Sequence, residues 1–185
     1  MASLHFHYAS MNSGKSTHLL QVAHNYQERG MKVLLLKPKL DTRDGSKIAS
    51  RIGLEKECQM FDRDTDLRDY DIKGADCVLV DEAQFLTAEQ VEQLAYIVDF
   101  MQTPVMCYGL AVDFRGYLFE GSKALMELAN KKVEHATICH CGKKAHMVLR
   151  VVDGVVVKEG EQIQIGGNES YVSVCRKHFT LGKYK

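Results

Sequence analysis

The chain has 185 residues, 45% hydrophobic and 26% charged, proportions that suit a soluble globular fold of one medium domain or one domain with a small appendage. Its 24 Lys+Arg balance 24 Asp+Glu, so no global field draws it to nucleic acid or to a membrane surface. No apolar run approaches the ~20 residues a bilayer requires, and the N-terminus lacks a signal-peptide core, which makes the cytoplasm the expected compartment.

The charge is unevenly divided. Residues 1–130 carry 14 basic against 19 acidic side chains, net −5, whereas residues 131–185 carry 10 against 5, net +5. A boundary near residue 131 is expected, with an α/β unit over 1–130 and a smaller β-rich unit over 131–185. Six Cys in a chain without a secretory signal point to thiols or metal ligation rather than disulfides. Cys58, Cys77 and Cys107 lie in apolar, strand-like contexts and read as buried small hydrophobes.

In chain order, Leu4–Tyr8 alternates like a strand and runs into Ala9-Ser10-Met11-Asn12-Ser13-Gly14-Lys15-Ser16. Thr17–Arg29 reads as a helix closed by Gly30, the residue favoured just past a helix end. Val33–Leu36 is a short continuous apolar run, as in a strand buried on both faces. Residues 38–57 turn polar and basic without periodicity, which predicts a functional or mobile connection. A short strand is expected at Cys58–Phe61, and Asp62–Asp71 is dense in charge and reads as solvated surface. Ala75–Val80 is a second buried-strand run, ending in Asp81-Glu82. Thr87 and Gln90 are spaced as a capping box, ahead of Val91, Leu94, Ala95 and Val98 at helical spacing. A strand at Val105–Tyr108, a loop over 109–121 and a helix at Ser122–Asn130 follow. Such alternation implies a mainly parallel sheet covered on both sides. Beyond residue 131 the pattern becomes β, with an Asp153-Gly154 hairpin turn between Val148–Val152 and Val155–Lys158.

Three constellations carry chemistry. Gly14-Lys15-Ser16 after a strand and before a helix is the core of a phosphate-binding loop: Gly14 admits the backbone to phosphate, Lys15 neutralises it and Ser16 can ligate Mg²⁺. The positive end of the helix dipole faces the same anion. Ala9 stands where the usual pattern has its first Gly. Asp81 at a strand end supplies the acidic partner for Mg²⁺, and Glu82 is placed to take a proton from the attacking group. The pair indicates nucleoside triphosphate use and leaves open whether water or a hydroxyl is the acceptor. Cys139-His140-Cys141 and Cys175-Arg176-Lys177-His178 supply thiolates and an imidazole suited to tetrahedral zinc, with Cys139, Cys141, Cys175 and His178 as ligands and His140 and His146 as competitors. Four protein ligands close the shell, so the metal is expected to be a structural staple of a β-rich unit too small for a large core.

With these motifs in this order the chain resembles the thymidine kinases of the second type, which pair an α/β ATP-binding domain of RecA-like, P-loop fold with a zinc-stabilised lasso. The likeness rests on Asp81-Glu82-Ala83-Gln84-Phe85, on Tyr108-Gly109-Leu110 with Asp113-Phe114-Arg115-Gly116, and on Ile165-Gly166-Gly167-Asn168-Glu169-Ser170-Tyr171 just before Cys175. It implies transfer of the γ-phosphoryl of ATP to the 5′-hydroxyl of thymidine, with Mg²⁺, in nucleoside salvage for DNA synthesis. Glu82 would be the catalytic base. Ala9 through Ser16, Asp81, Gln84 and Arg43 would serve ATP and its phosphates. Phe85, Leu110, Phe114, Phe119, Gln162, Ile163, Gln164, Ile165, Gly166 and Tyr171 would form the nucleoside pocket, where apolar walls and backbone amides suit uncharged thymine. A homotetramer inhibited by thymidine triphosphate is implied by the same likeness.

The chain departs from the family pattern at Ala9, and at Val148, where several relatives carry a base-contacting Thr; its Cys-x-Cys and Cys-x-x-His zinc half-sites differ from the two Cys-x-x-Cys pairs of many members and resemble those of some bacterial ones. Two other classes fit parts of the pattern: a RecA-like ATPase stimulated by DNA, and a zinc-ribbon nucleic-acid binder. The balanced charge speaks against both.

Overall fold

The computed structural model describes residues 1–41, 44–163 and 169–185. In chain order the elements are β1 (Leu4–Ala9), α1 (Lys15–Glu28), β2 (Val33–Pro38), β3 (Lys47–Ala49), β4 (Glu55–Glu57), β5 (Gln59–Phe61), β6 (Cys77–Val80), α2 (Ala88–Met101), β7 (Val105–Leu110), α3 (Glu120–Leu128) and β8 (Lys131–Glu134). After these come β9 (Thr137–Ile138), β10 (Lys144–Ala145), β11 (Met147–Val152), β12 (Val155–Val157), β13 (Glu169–Val174) and α4 (Arg176–Leu181).

The central sheet has the order β5-β2-β6-β7-β1-β8, and each neighbouring pair is parallel. Period-two alternation sends successive side chains of each strand to opposite faces. Leu34, Leu36, Val78 and Val80 pack with Val91, Leu94 and Ile97 of α2 and with Leu125 of α3. Leu35, Cys77, Leu79 and Tyr108 pack on the other face with Leu19, Leu20 and Ala23 of α1. β6 is therefore apolar and buried at every position, as is β2 over Leu34–Leu36, because both faces are covered there. This is an α/β sandwich of the P-loop kind, with its sheet mostly parallel as the alternation predicted.

Local chemistry sets the element ends. The Thr87–Gln90 capping box forms, with both reciprocal hydrogen bonds closing the start of α2. Gly30, just past α1, takes φ 73°. β8 pairs with β1 directly after the residue where the charge balance changes. The smaller antiparallel sheet, β12-β11-β13, turns at Asp153 and Gly154, whose φ values of 48° and 78° are both positive, as a two-residue hairpin turn of type I′ demands.

Three local expectations change. The 38–57 connection contains an antiparallel hairpin, β3 with β4, which has no apolar alternation to announce it. Its strands are tied instead by Lys47–Glu55 and by Lys37, whose Nζ donates to the carbonyls of Gly45 and Lys47. The charge-dense 62–71 stretch buries Leu67 completely, its amide donating to Gln93 at 2.9 Å. Cys77 and Cys107 are buried, but Cys58 is only half-buried, with its thiol on the Ser46 carbonyl.

Candidate active site and metal centre

Because the strands are parallel, their carboxyl ends share one rim, and β1, β6 and β7 each deliver functional residues there. Ala9 is the last residue of β1, paired with Leu110 in β7. Extended backbone is open to any residue, so glycine is not required at this position. The turn that does need freedom is Gly14, at φ 79°, which starts α1. Lys15 Nζ lies 3.2 Å from the Ser10 carbonyl and 3.4 Å from Ser13 Oγ. Ser16 Oγ donates to Asp81 Oδ2 at 3.3 Å, across the strand between them. A cavity of about 500 Å³ is lined by 11–17, Asp81, Glu82 and Leu110, and the β3–β4 hairpin closes its other side. Arg43 lies outside the described residues.

Burial, and next the adjoining Glu82 carboxylate, push Asp81 up to about 7, while Lys15 and Ser16 pull it the other way. Two oxygens 3.3 Å apart at a carboxylate and a hydroxyl fit neighbouring positions around an octahedral hard cation such as Mg²⁺. Glu82 adopts φ 50° and ψ 42°, a left-handed conformation that costs a non-glycine residue of order 1–3 kcal/mol. Its carboxylate accepts from Gln84 Nε2. Gln84 Oε1 in turn accepts from the Leu110 amide at 3.1 Å.

Gln84 also lines a second cavity, of about 510 Å³, with Phe85, Leu86, Phe119, Gln162 and Ile163. Phe85 and Phe119 meet edge to face at 5.9 Å. Of the residues expected in a nucleoside pocket, these two with Gln162 and Ile163 share the wall. Leu110 instead lines the first cavity, with residues 11–17. Phe114 is 2% exposed and stacks under Arg150, whose guanidinium lies 4.7 Å from its centroid and 5.9 Å from that of Tyr171. Gln164, Ile165 and Gly166 lie outside the described residues. Val148 is buried in β11. Sequence reasoning missed Arg63 and Glu120, which pair at 3.0 Å on the rim of this cavity, and the hairpin residues Lys47 and Arg51. Nothing in local pattern marks such long-range neighbours.

At the other end of the chain, the sulfur and nitrogen atoms of Cys139, Cys141, Cys175 and His178 all lie within 4.8 Å of one another. Gly142, at φ 81°, turns the first half-site back, its amide donating to the Cys139 carbonyl at 2.8 Å. Cys175 caps α4 and places His178 one turn along the same face. Sγ of Cys141 and Cys175 are 3.9 Å apart, and Cys175 Sγ lies 3.4 Å from His178 Nδ1. These spacings match the edges of a tetrahedron with Zn–S of ~2.3 Å. Burial opposes the Cys139 thiolate, but the Cys141 and Cys175 amides and His178 outweigh it and bring the thiol down to about 6. The donor set therefore fits zinc. His140 lies against His178, ring centroids 4.2 Å apart and tilted 36°, rather than joining the four.

A phosphate loop at a strand–helix turn, with an acidic pair ending a parallel strand, defines a nucleotide-binding α/β protein of the P-loop class. A family model described as Thymidine kinase matches residues 2–179. A thymidine kinase of Shewanella oneidensis is 54% identical over 186 residues, covering 97% of both chains. One of Vibrio parahaemolyticus is 52% identical over 192 residues, 99% of this chain and 100% of the relative. One of Rhodopirellula baltica is 53% identical over 192 residues, 100% of this chain and 91% of the relative. The chain belongs to the thymidine kinase family. Among the described residues, no helix is long and apolar enough to cross a membrane.

Proposed function

We propose that this member of the thymidine kinase family transfers the γ-phosphoryl of ATP to the 5′-hydroxyl of thymidine, with the phosphates in the 11–17 cavity and the nucleoside in the Phe85–Phe119 cavity. The observation that carries this reading is Gln84, which lines the second cavity while its side chain grips Glu82 on the first. Glu82 thus stands at the junction, where a hydroxyl from one side would meet phosphate from the other. Its strained backbone aims the carboxylate, and a positioned base contributes roughly 10²–10⁴-fold. Lys15 and the loop amides from Ser10 to Ser16 hold the phosphates. Mg²⁺ held by Ser16 and Asp81 would neutralise charge developing on the transferred group. Phe85 and Phe119 wall the base, Gln162 offers a polar edge, and Leu110, Phe114 and Tyr171 support that wall.

The unit that follows β8 is a β-rich lasso stapled by zinc on Cys139, Cys141, Cys175 and His178, a structural role since the four ligands close the shell. We extend the reading to a cytoplasmic homotetramer. Feedback by thymidine triphosphate follows from its chemistry, since it carries both the pyrimidine and the triphosphate that the two cavities suit.

The test is coupled ATP turnover by the purified protein with Mg²⁺, with and without thymidine. Turnover dependent on thymidine and yielding thymidine monophosphate is expected. Turnover indifferent to thymidine would reassign the acceptor to water and favour the ATPase reading.

A further inference from the structure

We propose that His7, His18 and His135 form a second metal site, separate from the Cys139 cluster and independent of the kinase reading, that takes a borderline first-row divalent cation such as zinc through three imidazoles. One ring nitrogen from each lies within 4.8 Å of the others, and the three ring centroids stand 5.0–5.2 Å apart. His7 Nδ1 and His135 Nε2 are 2.9 Å apart, close to the ~3.3 Å edge of a tetrahedral site with Zn–N of about 2.0–2.1 Å.

Two further observations favour a ligand. His7 is 7% exposed, and its Nε2 has no hydrogen-bond partner among the described residues. A ring buried this way, with Nε2 unpaired, gives up solvation without full compensation and is a poor choice for simple packing. Tyr108 provides the outer support usual for a ligating imidazole: its hydroxyl meets His18 Nδ1 at 3.0 Å, and its ring stacks on His7 at 4.6 Å.

The donor chemistry selects the ion. No carboxylate belongs to the cluster, and Lys131 and Lys15 face it, which disfavours hard cations held by charge alone such as Mg²⁺ or Ca²⁺. Imidazole nitrogen suits zinc, nickel, copper and cobalt. His18 is exposed, so the site opens to solvent and keeps a coordination position for water. The ligands join β1, the first turn of α1 and the chain leaving β8, where the His135 amide also donates to the Tyr8 carbonyl at 2.8 Å. The bound ion would therefore brace both flanks of the phosphate loop.

The full chain, equilibrated with Zn²⁺ and passed through a desalting column, should carry two zinc ions per chain by elemental analysis, and His18→Ala and His135→Ala should each carry one. With Co²⁺ as probe, all three proteins should keep the intense thiolate charge-transfer absorption of the Cys site, which also certifies an intact fold. The variants should lose only the weak visible bands of a nitrogen-ligated ion. One ion per wild-type chain, or a variant that retains the second, would overturn the site.

Discussion

Gln84 holds Glu82 by its amide nitrogen while its amide oxygen receives the Leu110 N–H, so one side chain ties the end of β7 to the carboxylate that follows β6. A carboxylate fixed in this way changes its chemistry, not its place, when made neutral. Glu82→Gln should keep ATP binding within about twofold and lose roughly 10²–10⁴-fold in kcat. Nucleotide titration alongside steady-state rates checks both, and an undiminished kcat would remove Glu82 from the base role.

Gly121 sits in α3, where alanine normally stabilises a helix by about 1 kcal/mol. Here a Cβ would meet the Ala83 carbonyl oxygen at 2.5 Å and that of Leu86 at 2.8 Å. Both are backbone atoms of the turn that carries Glu82, so neither yields cheaply. Gly121→Ala should destabilise the protein by about 1–3 kcal/mol, read from its urea midpoint, and lower kcat as well.

Arg150 is 1% exposed, lies over Phe114 and Tyr171, and donates to the Glu161 carbonyl at 3.2 Å. Its planar fork stacks and bonds at once, which an ammonium does not reproduce. Both Arg150→Lys and Arg150→Met should raise KM for thymidine about tenfold or more, with KM for ATP changed much less. Parallel rises in the two KM values would show a general loss of fold instead.

Asp113 organises its loop by accepting from the Arg115 and Tyr117 amides, the Arg115 side chain and Gln162 Nε2 at 2.9 Å. Burial pushes its carboxyl up, but these donors prevail and hold it below the usual carboxylate range. The unfolded chain, with a carboxyl near pH 4, then binds the proton more readily than the folded one. The stabilisation is complete above that pH and fades as pH falls through the lower folded value. Melting curves of wild type and Asp113→Asn should differ most above the ordinary carboxylate range and converge as pH falls below it.

Removal of zinc with a thiolate-competing chelator should unfold the smaller unit, whose buried cluster is little more than Cys139, Ala145, Leu149, Val174 and Cys175. Thymidine affinity should fall with it, because Tyr171 lies on β13 directly before Cys175. Unchanged affinity in metal-free protein, measured by calorimetry, would uncouple the two.

The elements that were legible in sequence share a cause: their signals are local. The glycine before Lys15, the acids ending β6, the Thr87–Gln90 box and the Cys-x-Cys spacing each sit within a few residues of what they act on. The β3–β4 hairpin escaped because Lys and Glu strands carry no apolar period, and its tie to the molecule is the buried Lys37, which also pairs with Asp41 at 3.3 Å. Arg63 and Glu120 meet across 57 residues, and His7 meets His135 across 128, distances over which no pattern speaks. Phe114 was legible as an aromatic near the site but not as the platform beneath Arg150.

Ser173 Oγ donates to the Met11 carbonyl at 2.7 Å, and Ser10 Oγ reaches the Ala145 carbonyl at 3.4 Å. The loop before α1 is thus buttressed from the chain beyond β8, at Ala145 of β10 and at Ser173 of β13, two residues from Tyr171. Under the proposed function, selectivity for the base and grip on the nucleotide are then not independent traits. A lineage, or an engineer, that reshapes β13 to admit a different nucleoside inherits a retuned affinity for ATP along with it.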